Sequence, residues 1–94
     1  MKVLFARFAQ LELKDAIDYY EDKESGLGSR FKQEVKKAAL RVAQYPKALP
    51  IERDDIRKCR LYKFPYKLLY SIEPDHILIL AVSHQRRKPN YWVK

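Results

Sequence analysis

Residues 77–82, ILILAV, are apolar at every position. A strand buried on one face alternates apolar and polar side chains, because successive residues point to opposite sides of the sheet. An unbroken apolar run of this length reads instead as a strand covered on both faces. It belongs in the interior of a sheet, and other parts of the chain must cover it. Two upstream stretches have the pattern to do so. Ala9, Leu13, Ala16, Ile17 and Tyr20 recur at helical spacing, with Lys14, Asp15, Asp18 and Glu21 on the other side, predicting a helix over residues 9–23. Phe31, Val35, Ala38, Val42 and Tyr45 follow at steps of four, three, four and three. They predict a second helix from residue 27 or 29 to residue 44, stopped by Pro46. Residues 25–28, SGLG, hold the only two glycines and set the helices as an antiparallel hairpin.

The remaining segments supply the sheet. Val3, Leu4, Phe5 and Phe8 suggest a short opening strand over residues 2–7. Residues 46–55 read as a polar, proline-bearing loop. Three strands follow over residues 56–63, 66–73 and 77–83, joined by tight turns at Phe64–Pro65 and Pro74–Asp75, which makes an antiparallel meander. Residues 84–94 form a basic, aromatic tail. The expected architecture is α+β, in the order β-α-α-β-β-β, with the hairpin on one face of the sheet. The 94 residues form one domain, residues 1–94, too small for a second core.

Composition narrows the class. The 13% aromatic content argues against disorder, and no apolar run approaches the roughly 20 residues that span a bilayer. The first ten residues lack the long apolar stretch of a secretory signal. One cysteine, Cys59, excludes an intramolecular disulfide and falls on the apolar side of its strand. A cytoplasmic protein is the expectation. The net charge is +8, distributed unevenly. Residues 1–56 hold 11 basic and 10 acidic side chains, whereas residues 57–94 hold 9 basic and 2 acidic. A surplus confined to the last strands and the tail suggests a patch that meets a phosphate backbone or an acidic protein.

Residues 57–70, RKCRLYKFPYKLLY, carry that patch. Alternation puts Lys58, Arg60 and Tyr62 on one face and Cys59 and Leu61 on the other. The plain alternative is a solvated strand face, which suits Lys67 in particular. Two distant histidines, His76 and His84, and one buried cysteine do not make a metal site. There is no phosphate-binding glycine loop and no nucleophile elbow, so no cofactor is expected.

The segments AIDYYE and GLGSRF in the helices, KFPYKLLYSI in the strands and HQRRKPNYW in the tail together resemble the RelE/ParE superfamily. These are the small toxins of bacterial type II toxin–antitoxin systems, often called plasmid stabilisation proteins. The resemblance spans nearly the whole chain and is closer to the ParE-like branch. It implies a growth-inhibiting toxin neutralised by a cognate antitoxin in a hetero-oligomer. The antitoxin's terminal segment, often acidic, folds over the helical hairpin or a sheet edge. ParE-like members poison DNA gyrase without catalysis of their own, and the target-binding candidates are then Arg86, Arg87, Lys88, Tyr91 and Trp92, residue types common in interface hot spots.

RelE-like members instead cut messenger RNA in the ribosomal A site without metal. On that reading Lys58 and Arg60 match a basic pair on the first long strand. Lys67 matches an arginine that grips the scissile phosphate, Arg87 (or Arg86) matches an arginine after the last strand, and Tyr91 matches the stacking and catalytic tyrosine. Lys67 offers a point charge where the family has a bidentate fork, and Pro89 restricts the segment that places Tyr91. No convincing base accompanies these cations, which puts gyrase first and the endoribonuclease second. A non-toxic nucleic-acid-binding module of the same fold is the third reading.

Overall fold

The computed structural model describes residues 1–88 and 91–92; Pro89 and its expected restraint on Tyr91 lie outside the described residues. The elements run β1 (Lys2–Phe5), α1 (Arg7–Lys23), α2 (Leu27–Gln44), β2 (Ile51–Arg53), β3 (Ile56–Arg60), β4 (Tyr66–Ile72) and β5 (His76–His84). They form a helical hairpin on one five-stranded sheet of order β1-β5-β4-β3-β2. β1 runs parallel to β5, and the other neighbours are antiparallel.

The α+β class, the hairpin, the meander and the interior position of β5 match the sequence reading, but the expected covering of both faces of β5 is incomplete, because Leu78 and Leu80 are only half-buried. Three boundaries need correction. The stretch over residues 46–55 is not all loop, because Ile51–Arg53 pairs with β3 as an added edge strand. A two-residue turn, Asp54–Asp55, joins the strands, with Asp54 at φ 51°. Aspartate tolerates this left-handed conformation, which such tight hairpins need. The opening strand stops at Phe5 and the helix starts at Arg7, not Ala9. Here the Ala6 amide donates to Ile79 O at 2.9 Å and Gln10 Nε2 donates to Phe5 O at 2.8 Å, so strand passes directly into helix. The third correction is that β3 ends at Arg60, which removes Tyr62 from the strand face it was expected to share with Lys58.

The helix stripes bury as their periodicity predicts except at Tyr45, which caps the end of α2 and is 63% exposed. Ala9 and Ala16 of α1, with Phe31, Val35, Ala38 and Val42 of α2, close over Cys59, Leu68, Tyr70, Ile77, Ile79 and Val82. Tyr20, Phe31, Phe64 and Tyr66 form an aromatic cluster with ring centroids 4.8 to 6.1 Å apart at the contacts of Tyr20 and Phe31 with the other rings. Tyr70 is fully buried, and its hydroxyl donates to Pro46 O at 2.7 Å. Burial pushes that phenol up to about 12. The register of β4 on β5 shifts between Leu69 and Tyr70, leaving Leu80 without a partner. This bulge reverses the facing of β5. Ala81, Val82 and Ser83 are consequently all buried, while Leu78 and Leu80 are half-buried.

The hairpin turn rests on Glu21. Its carboxylate accepts the Gly26 amide at 2.9 Å and the Gly28 amide at 3.0 Å. It supplies the negative charge that the first turn of α2 lacks in its own sequence. Gly28 lies where the helices touch, and a Cβ there would stand 2.6 Å from Ile17 O. Gly28→Ala should therefore force the helices apart and cost about 1–3 kcal/mol, read as a lower urea midpoint with an unchanged slope. An unaltered midpoint would mean that the close approach is not needed.

Candidate functional site

Register places the predicted cations. Arg60 stands opposite Lys67 and Lys67 opposite Ser83, while Lys58 stands opposite Leu69. Lys58, Arg60 and Lys67 thus share the face turned away from the helices. The added strand β2 changes their chemistry. Glu52 accepts a hydrogen bond from Lys67 Nζ at 2.8 Å and lies 3.7 Å from Lys58 Nζ. Only 21% of the Lys67 side chain is exposed, so it is not a solvated strand cation. The Lys67 hydrogen bond, joined by the charges of both lysines, holds the Glu52 carboxyl below its ordinary range. Two of the three strand cations are therefore internally paired.

The tail folds back towards this face. A small pocket of about 110 Å³ is lined by Glu52, Lys67, Ser83 and His84 together with Arg87, Lys88, Tyr91 and Trp92. Lys67, Arg87 and Tyr91, which the sequence reading grouped, do converge here. Lys58 and Arg60 line a different cleft at the edge of β3. Arg86, Arg87 and Lys88 are exposed, forming a basic ledge after β5. The Arg86 amide donates to His84 Nδ1 at 3.0 Å, which leaves the proton of the neutral ring on Nε2. The His84 ring meets the edge or face of Tyr66 at 4.9 Å.

Glu12 holds the tail, and sequence reasoning missed it. β1 pairs with β5 only as far as Ile79, so β5 runs on with an uncovered edge. Glu12 Oε1 accepts the Val82 amide at 2.9 Å, and Oε2 accepts the hydroxyl of Tyr91. The Arg87 guanidinium lies 4.0 Å from the same carboxylate and 4.2 Å from the centre of the Tyr91 ring. Burial raises the Glu12 carboxyl, although its hydrogen bonds and Arg87 oppose the shift. Burial and the bond to Glu12 push the Tyr91 phenol up to about 12. The only sequence signal for Glu12 was its place at the margin of the apolar stripe of α1.

Beside this latch lies a cleft of about 370 Å³ lined by Glu12, Asp15, Tyr19, Tyr66, His84 and Arg87. General base catalysis works best with a group whose pKa lies near the working pH. Glu52 is shifted the wrong way, and both oxygens of Glu12 are committed. The arrangement is better suited to fixing a tail than to moving protons. Among the described residues, no group of three or more histidine, cysteine or carboxylate side chains is placed to hold a metal ion. No helix among the described residues is long and apolar enough to cross a membrane.

A strand, a helical hairpin and an antiparallel meander, with a basic tail latched on the sheet, make up this small α+β domain. The family model described as the ParE toxin of type II toxin-antitoxin system, parDE, matches residues 3–89. This chain belongs to that family, which implies a cognate antitoxin partner. A search of curated proteins finds no match. Among solved structures, a chain described as the chromosomal ParDE TA system from P. aeruginosa superposes with a TM-score of 0.65 at 16% identity. The match covers 89% of this chain and 95% of that one, a likeness of fold.

The latch predicts a measurable pH dependence. Because the folded chain holds the Glu12 proton more tightly than the unfolded chain, with its ordinary value of 4.5, this group's contribution is greatest below 4.5. It is lost as pH rises through the raised folded value. The stability of wild type relative to Glu12→Gln, measured by urea unfolding from pH 4.5 upward, should fall with pH; a flat difference contradicts a raised carboxyl. Tyr91→Phe removes one hydrogen bond to a charged group, worth about 1.5–3 kcal/mol of local stability. It should shift the emission of Trp92, the only tryptophan, towards that of a solvated indole.

Proposed function

We propose that this chain is a growth-inhibiting ParE-type toxin that acts on DNA gyrase and is neutralised by its antitoxin. The observation that carries this reading is the Glu52–Lys67 pair at 2.8 Å. The lysine that a nuclease would use to grip the scissile phosphate is already held by a carboxylate of its own chain. An inhibitor needs no proton relay, only a shaped surface of the right charge. The ledge of Arg86, Arg87 and Lys88, backed by Tyr91 and Trp92, is such a surface. The Arg87 side chain is 55% exposed despite its contact with Glu12. A basic surface also speeds the encounter with an acidic antitoxin segment and makes it sensitive to salt. The hollow beside edge strand β1, about 410 Å³ between Met1, Val3 and the Lys36–Leu40 side of α2, offers such a segment an apolar seat.

A second reading rests on the convergence of Lys67, His84, Arg87 and Tyr91 on one pocket. There the chain would be a ribosome-dependent endoribonuclease, with substrate phosphate displacing Glu52 from Lys67. The two readings separate in one pair of assays. Purified protein should inhibit supercoiling by gyrase and leave messenger RNA intact in a translating extract. Arg87→Ala or Trp92→Ala should weaken inhibition about 30-fold, as loss of a hot-spot residue does. Cleaved messenger RNA with unaffected supercoiling would reverse the order, and so would recovery of cleavage-dependent toxicity in Lys67→Arg.

A further inference from the structure

A separate cleft of about 260 Å³ opens at the edge of β3, where β2 no longer pairs with it. Arg41, Lys58, Arg60 and Tyr62 line it above an apolar floor that includes Leu49 and Pro50. It shares no lining residue with either pocket beneath the tail. No carboxylate is among its lining residues. Among the described residues, neither Arg41 nor Arg60 is in an ion pair. Arg41 and Arg60 thus leave the cleft cationic, although Lys58, which also lines it, lies 3.7 Å from Glu52.

Its geometry is more specific than a basic patch. Arg41 Nη2 donates to Arg60 O at 2.8 Å, which anchors the guanidinium. So anchored, the guanidinium lies 4.0 Å from the centre of the Tyr62 ring. Tyr62 is 74% exposed, so the ring keeps an open face although Arg41 covers the other. A large aromatic side chain this exposed contributes little to the core. Leaving β3 at Arg60 is what sets Tyr62 beside α2 and away from the strand face. An open aromatic face with cations around it matches what a nucleobase and its flanking phosphates need. An acidic peptide would use the cations but not the face of the ring.

We infer that this cleft binds single-stranded nucleic acid, with one base stacked on Tyr62 and neighbouring phosphates on Arg60 and Arg41. The bases of a duplex are already stacked on one another and cannot reach the ring. The site is independent of the gyrase reading, because the residues proposed to meet gyrase lie on the tail.

Fluorescence anisotropy of a labelled oligothymidylate with the intact chain tests this. The strand should bind, and Tyr62→Ala should weaken it about 5- to 150-fold, the range that loss of one base–aromatic stack produces. Tyr62→Phe should retain wild-type affinity. The slope of log affinity against log salt should stay the same in Tyr62→Ala, which removes no charge. In Arg60→Gln it should become shallower by about 0.7, the loss of one phosphate contact on a single strand. The inference is overturned if Tyr62→Ala binds as wild type does, or if a duplex of the same sequence binds as tightly as the single strand. It is equally overturned if the strand fails to bind while an oligoglutamate peptide does, which would assign the cleft to an acidic protein.

Discussion

A strand that outruns its neighbour leaves backbone amides without partners, and β5 does this beyond Ile79. A buried amide left unpaired costs as much as a lost hydrogen bond. Glu12 answers the Val82 amide from the adjoining helix, and its second oxygen takes the Tyr91 hydroxyl. One carboxylate therefore joins the helical hairpin, the interior strand and the tail. The position of the basic ledge follows from this, because residues 85–88 leave β5 beside the latch, with Arg87 4.0 Å from Glu12. The raised carboxyl of Glu12 and the raised phenol of Tyr91 both reflect the burial that this closure imposes.

Charge is organised by a second carboxylate. Glu52 sits on the shortest strand, yet it pairs Lys67 and approaches Lys58. Without it, the outer face of the sheet would be a row of cations facing solvent. With it, positive charge on this part of the chain stays exposed at the ledge after β5 and at the edge of β3. A ParE-family chain arranged this way presents two surfaces of like sign and different shape: a ledge of Arg86, Arg87 and Lys88 beside Tyr91 and Trp92, and a cleft with a stacked arginine and tyrosine. Electrostatics at such surfaces favours fast encounter and partner choice more than affinity as such.

Much of the fold was legible because its causes are local. The stripe from Phe31 to Val42 has a single period, and all four of its residues in α2 are buried. Gly26 and Gly28 mark a turn that requires φ 89° at the first and close helix contact at the second. Pro46 and the turns at Phe64–Pro65 and Pro74–Asp75 punctuate the chain where the elements end. What escaped was short or non-local. β2 is three residues long, with too few positions for alternation to register, and its turn uses Asp54–Asp55 in place of a glycine. Tyr62 was assigned to the strand face because alternation continues past Arg60, although pairing does not.

The amino-acid sequence by itself determined the α+β class, the helical hairpin, the interior strand over residues 77–82 and the basic bias of residues 57–94. Each depends on periodicity or composition within a short window. Tertiary structure alone decided which of those cations are paired within the chain. Glu12 and Tyr91 are 79 residues apart and Glu52 and Lys67 are 15 apart, so no local pattern announces either pair. Whether a lysine or arginine is free for a partner depends on which carboxylate the fold brings beside it. In this chain that is settled by a three-residue strand and by the length of β5 beyond β1.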